Sequence, residues 1–250
     1  MTLTGCGSSP TIDSSVEELV ASVVENPGPE VFSIDFVPVN PSPYVACLQG
    51  IDEVRAVIDR PGGIIRLQPR RSAPPILVAP DRVLVESQEA GDWFELPLPT
   101  ASDRPALEQV FGTSLAGFIM NGVAEPNLNE TAAALLSVAD EVGTAPTPVG
   151  LPGSSFEVIV DSDKYLAESG GGSDVPIPTA TVTATASGEV TGIAIARSAT
   201  GSAEDEGGPY ALVGRPFEEL LVQLPDENMV REQTLSEVLY PRPQQSCRFS

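Results

Sequence analysis

Histidine is absent from this chain of 250 residues, which narrows what the remaining side chains can do. Its absence removes the commonest general base, the Ser–His and Cys–His nucleophile pairs, and most zinc sites. Three cysteines remain. Cys6 closes the tetrad Leu3-Thr4-Gly5-Cys6, ahead of Gly7-Ser8-Ser9-Pro10. An aliphatic residue, two small residues and a cysteine form a lipidation pattern, in which the thiol receives diacylglycerol and the cysteine becomes the new N-terminus. A secretory signal carries roughly 7–15 apolar residues before its cleavage point, whereas only Met1 to Gly5 precede Cys6. The pattern therefore predicts either a start codon further upstream or a chain that begins inside its signal, and in both cases an exported, lipid-anchored protein. A chance cysteine in a flexible cytosolic N-terminus is the bland alternative.

Cys47 and Cys247 are left over. In an oxidising compartment such a pair most economically forms one disulfide, closing a loop of about 200 residues and contributing on the order of 4–5 kcal/mol in the chain-entropy model. In the cytosol they are two unrelated thiols. Other candidate chemistry is weak. Gly170-Gly171-Gly172 lacks the Lys-Ser/Thr of a phosphate cradle. The run Glu204-Asp205-Glu206 lacks the alternating oxygen ligands of an EF-hand loop and reads as a solvated acidic loop. Asn129-Glu130-Thr131 matches a glycosylation acceptor by accident of composition. Carboxylates are abundant enough for a paired-acid hydrolase, but such clefts are lined with aromatics, which make up only 5% of this chain. No cofactor and no metal site is expected.

The elements that must position any site follow from periodicity. Ser14 and Ser15, with Glu17 and Glu18 three residues on, form a doubled capping box, and Val16, Leu19, Val20, Val23 and Val24 give that helix one apolar face. Phe32, Ile34 and Phe36 then alternate with Ser33 and Asp35, the period of a half-buried strand. Short strands are expected at 45–48, 63–68, 76–79, 82–87 and 93–96, with a helical turn at 51–59. Two apolar helices follow, one carrying Leu107, Val110, Phe111, Leu115, Phe118 and Ile119, the other running over 132–142 after a cap at 127–130. A linker at 144–153 leads to a strand with Phe156, Val158 and Val160. The clearest hairpin joins 178–187 to 190–197, and 217–224 supplies a closing strand. Residues 169–174 and 202–209 read as loops. The expected domain is a single α+β unit over 14–225, a curved antiparallel sheet with helices on its concave face. Residues 1–13 form its tether and 226–250 a polar tail.

Charge and hydropathy bound the partners. Asp and Glu number 35 against 13 Lys and Arg, a net −22, so nucleic acid and anionic headgroups are poor electrostatic partners. No apolar run is long enough to cross a bilayer, leaving covalent or peripheral attachment. The preference for Arg over Lys, with abundant Ala, Val, Gly and Pro, fits coding from a GC-rich genome such as an actinobacterium's.

One resemblance gathers these pieces. The lipobox-like tetrad, the capped first helix, Ala79-Pro80-Asp81-Arg82-Val83-Leu84-Val85 leading to Asp92-Trp93-Phe94-Glu95-Leu96, the apolar helices and the late hairpin ending in Arg197 resemble the mycobacterial LppX/LprG-type lipoproteins. That family shares a half-barrel with the periplasmic lipoprotein carrier LolA. The resemblance implies a membrane-anchored, non-catalytic monomer of the cell envelope that binds and carries acylated lipids or lipoglycans in a cavity between sheet and helices. The cavity wall would comprise Phe32, Ile34, Phe36, Ile64, Val83, Val85, Phe111, Leu115, Phe118, Ile119, Val158, Val182, Ile193 and Val222. Periodicity alone does not distinguish a hollow barrel from a filled one. A solid-cored surface or sensory lipoprotein that docks another protein, and a carboxylate hydrolase, stand as alternatives.

Overall fold

The computed structural model describes residues 14–38, 53–69, 74–87, 92–169, 178–197, 210–215 and 224–238. Cys6, Cys47, Cys247 and Val222 fall outside them, as do the strand expected at 45–48, the strand expected at 217–224 except Leu224, the loop expected at 169–174 except Ser169, and the loop expected at 202–209.

The described strands build one unclosed sheet of twelve: β1 (Val31–Pro38), β2 (Val54–Asp59), β3 (Ile64–Pro69), β4 (Ile76–Val78), β5 (Arg82–Glu86), β6 (Trp93–Pro97), β7 (Ala139–Ala145), β8 (Ser154–Val160), β9 (Pro178–Ala184), β10 (Val190–Arg197), β11 (Tyr210–Arg215) and β12 (Val230–Glu232). Their spatial order is β12-β6-β5-β4-β3-β2-β1-β11-β10-β9-β8-β7. Two antiparallel meanders thus meet where β1 pairs with β11. The helices are α1 (Ser14–Glu25), α2 (Arg104–Phe111), α3 (Thr113–Asn121), α4 (Leu128–Ser137) and α5 (Ser162–Ser169). The class is the expected one, an α+β curved half-barrel.

Register explains the single core. Phe32 pairs with Ile58, Ile34 with Ala56, Ile58 with Ile65, Ile65 with Val78 and Val78 with Val83, so one face is apolar across five strands. On the other meander Ile193 pairs with Val182 and Val182 with Phe156. Helix residues close this face: Val16 and Val23 from α1, Leu107 and Phe111 from α2, Leu115 and Ile119 from α3, Leu128 and Leu135 from α4. Helix pair α2–α3 covers the β2–β6 half, and α1 with α4 covers β8–β10.

Several expectations are corrected. Residues 51–59 were expected to turn helically, but 54–59 form β2; Val54, Ala56 and Ile58 alternate inward, and pairing on both sides overrides the helical spacing. The helix expected over 132–142 ends at Ser137, and 139–145 form edge strand β7, so the linker expected from 144 starts with ladder. The Asp161 side chain caps a helix, α5, that the periodicity did not suggest; it accepts from the backbone N–H groups of Asp163 (2.9 Å) and Lys164 (3.1 Å). Strand β11, Tyr210–Arg215, begins directly after the loop expected at 202–209, where the periodicity suggested no strand. The sheet is mixed, because β12 pairs in parallel with β6. The tail is therefore not merely polar: within 224–238, Val230 to Glu232 extend the sheet and Val238 is buried in the core.

Candidate functional site

A cavity of about 530 Å³ opens at the end of the half-barrel where the two meanders meet. Five segments line it. β1 and its approach contribute Pro29 and Val31 to Ile34, and α4 contributes Asn127, Leu128 and Asn129. The β7–β8 loop contributes Gly150, Leu151 and Pro152, the β9–β10 hairpin Thr185 and Glu189 to Thr191, and β11 Val213 and Gly214. Its size lies within the roughly 300–1,000 Å³ of small-ligand pockets.

The residues that shape it do so for local reasons. Asn127 is the N-cap of α4: its side-chain oxygen accepts from Glu130 N–H at 2.9 Å, and Glu130 Oε2 accepts from Asn127 N–H at 2.8 Å, a capping box. The Asn127 amide also donates to the carbonyls of Pro27 (2.9 Å) and Pro29 (3.3 Å), holding the α1–β1 connection against α4. Asn129, only 2% exposed, donates to Gly188 O at 2.7 Å and accepts from Val190 N–H at 3.2 Å. It pins the β9–β10 turn to α4. Gly188 sits at φ +77°, and a Cβ there would lie 2.1 Å from Ser22 O, so only glycine lets the turn meet α1. Leu151 packs over Gly192, where a Cβ would approach within 2.6 Å of its side chain. Thr191 Oγ1 donates to Pro152 O at 2.9 Å, tying the same loop to the hairpin.

The Arg60 guanidinium lies 5.3 Å from the ring centroid of Phe32, a lining residue. It donates to both Glu130 carboxylate oxygens, one at 2.7 Å, and to Glu125 O at 3.0 Å. The hydrogen bond from Arg60 is the main reason the Glu130 carboxyl is held below the usual range, with the Asn127 N–H adding to it. Burial pushes the nearby Glu125 carboxyl up, against a hydrogen bond from Asn121.

The residues expected to line a cavity divide. Phe32 and Ile34 do line it. Val83 borders a separate space of about 200 Å³ with Leu96, Leu107 and Leu235. Phe36 is half-buried and borders a groove of about 220 Å³ beside the Asp35–Arg55 ion pair, whose shorter contact is 2.7 Å. Val85, Phe111, Leu115, Phe118, Ile119, Val158, Val182 and Ile193 belong to the continuous core and border none of these spaces. Ile64 is half-buried and outside that core, because the parity of β3 turns Ile65 and Leu67 inward. Sequence patterning missed Leu128, Leu151, Val190 and Val213. The signal available was the cap at Asn127, which fixes where α4 begins but not what faces it.

Chemically the cavity offers little besides shape. Among the described lining residues Glu189 carries a carboxylate and no second Asp or Glu stands beside it. Among the described residues no three His, Cys, Asp or Glu side chains converge on a metal position. Asn129 is buried and bonded through its amide, so the glycosylation tripeptide is inaccessible in the folded chain. No described helix is long and apolar enough to cross a membrane.

No family model matches the chain. No curated protein matches it. Among solved structures it is similar to the Mycobacterium tuberculosis lipoprotein LppX, at 14% identity and a TM-score of 0.46, over 80% of this chain and 94% of that one. That likeness stops at architecture.

Proposed function

We propose that this chain is a non-catalytic lipoprotein of the cell envelope, anchored through Cys6 on the outer side of the membrane, that takes the acyl portion of a lipid into the cavity between the two meanders. The observation that carries this reading is the cavity itself, about 530 Å³ with an apolar wall of Phe32, Ile34, Leu128, Leu151, Val190 and Val213. Polar groups around it are spent on holding the fold, as the bonds of Asn127, Asn129 and Thr191 illustrate. Burying acyl methylenes there is favourable by about 0.8 kcal/mol each. The lipobox-like tetrad supports the anchor, and the scarcity of catalytic groups supports binding without turnover. The filled remainder of the core favours, as second reading, a docking module for another protein.

Native mass spectrometry on the folded chain, followed by lipid extraction, separates the two. Bound lipid is expected on the wild type and should be lost in Val213→Trp, which fills the cavity from a half-buried position. A folded wild type that carries no lipid and binds no fluorescent acyl probe eliminates the carrier reading and selects the docking one.

A further inference from the structure

We propose that the outer edge of β7 is a docking site for an extended, basic segment of a partner protein, which adds to the sheet beyond β7 and directs a lysine or arginine into a groove beside α1. The proposal stands apart from what the cavity holds. An open sheet has two edges, and here they differ. At one end lies β12, three residues long and carrying Arg231 and Glu232. At the other lies β7, seven residues and about 20 Å long, whose partner among the described strands is β8 alone. A row of unpaired N–H and C=O groups is a template for a further strand unless charge, a bulge or proline blunts it. In β7 those devices sit at the ends: the register shift between Ala139 and Glu141, with exposed Asp140 and Glu141, at one, and Pro146 beyond the other. Val142 to Ala145 carry no charge, and a Cβ on Gly143 would meet nothing within 4 Å.

A groove of about 690 Å³ borders this same half of the strand. Val16, Glu18 and Leu19 of α1 line one side, and Thr144 and Ala145 of β7 with Ser154 of β8 line the other. Cross-strand partners share a face of the sheet. Thr144 pairs with Phe156, which points into the core, so a residue added opposite Thr144 projects on that face, toward α1. There it meets apolar Val16 and Leu19 and the exposed Glu18, surroundings that suit a long aliphatic stem ending in a cation. Glu141 lies three positions from Thr144 and on the opposite face, so a second basic residue three positions from the first reaches its carboxylate. A second copy of this chain is a poor occupant. It brings a net charge of −22, with its own Asp140 and Glu141, to an edge that already bears both.

The test titrates the full chain with a fluorescein-labelled peptide of alternating valine and threonine in which two lysines stand three positions apart, and reads anisotropy together with amide exchange. One control peptide carries glutamates in place of the lysines. Another keeps the lysines and places prolines between them, which preserves charge but removes ladder donors. The lysine peptide is expected to bind, to slow exchange over 139–145 and to weaken in high salt, and neither control should bind comparably. Glu18→Lys combined with Glu141→Lys should weaken binding about five-fold, since two exposed ion pairs are lost. Both side chains are exposed, and an unchanged urea midpoint shows that the fold is kept. Equal binding of either control, protection elsewhere than 139–145, an affinity unmoved in the folded double variant, or no binding at millimolar peptide overturns the proposal. Concentration-dependent dimers of the chain alone in sedimentation, protected over 139–145, assign the edge to a second copy and overturn it too.

Discussion

Asn129 is where stability and site geometry meet, and its replacement by alanine gives a calculable result. The substitution leaves the Gly188 carbonyl and the Val190 N–H without the partners they have at 2.7 and 3.2 Å. An orphaned buried polar group costs about 1–3 kcal/mol. Because Asn129 borders the cavity, water reaches part of the vacated space and the cost falls toward the lower half of that range. The pair should then cost about 2–3 kcal/mol. For a domain of this size the urea m-value lies near ~2–3 kcal/mol/M, so the unfolding midpoint should drop by about 1 M. Asn129→Asp adds a sharper readout. Its carboxylate still accepts from Val190 N–H but faces the Gly188 carbonyl, so its folded-state pKa must rise above the unfolded value. Such a group supports the fold below its unfolded pKa and loses that support as pH rises through its folded pKa. Relative to wild type at each pH, the aspartate variant should be nearly intact at pH 4 and clearly destabilised at pH 7. A midpoint shift under about 0.3 M for the alanine variant, or a pH-independent deficit for the aspartate, would show that Asn129 does not pin the hairpin to α4.

Two further outcomes follow from the same end of the barrel. Gly188→Ala, with a Cβ 2.1 Å from Ser22 O and a φ of +77°, should destabilise by more than ~2 kcal/mol in urea titration and loosen α1, read as faster amide exchange over 14–25; an unchanged midpoint would contradict the contact. The two glutamates near Arg60 should respond to acid in opposite directions. Glu130 has a folded pKa below its unfolded value, so its contribution is present above the unfolded pKa and is lost as pH falls through the folded one. Glu125 has a raised folded pKa, so its ionisation opposes folding at neutral pH, and Glu125→Gln should raise stability at pH 7 with the gain vanishing in acid. Thermal melts of Glu130→Gln and Glu125→Gln from pH 3 to 7 check both signs, and parallel pH profiles for the two variants would refute the assignment.

The elements legible in the sequence were those whose local signal and tertiary role agree. β1 alternates Phe32, Ile34 and Phe36 with polar neighbours and packs that way, although Ser33 and Asp35 are buried too, on the opposite face. The β9–β10 hairpin and the cap at Asn127 appear where turn chemistry and capping put them. The failures have a common cause. Residues 54–59 space their apolar side chains ambiguously, and only neighbours on both sides make them a strand. Residues 139–145 continue an apolar pattern past Ser137, but the ladder to β8 captures them. The short strand Val230–Glu232 finds its partner, β6, across more than a hundred residues of chain.

By itself the sequence determined the chemical limits of this protein: no histidine, a strongly acidic surface, a cysteine in a lipidation pattern, and enough alternating apolar residues for one curved sheet with helices over it. Those follow from residue types and short-range periodicity, which act within a few positions of the chain. Only the tertiary structure decided which apolar residues became core and which became wall. Val182 and Ile193 pack solidly, whereas Leu128, Leu151 and Val213 come together around open space. That outcome depends on where β11 meets β1, on a buried Asn129 joining helix to hairpin, and on Gly188 passing α1. Each is a contact between distant segments, and a cavity is what such contacts leave unfilled.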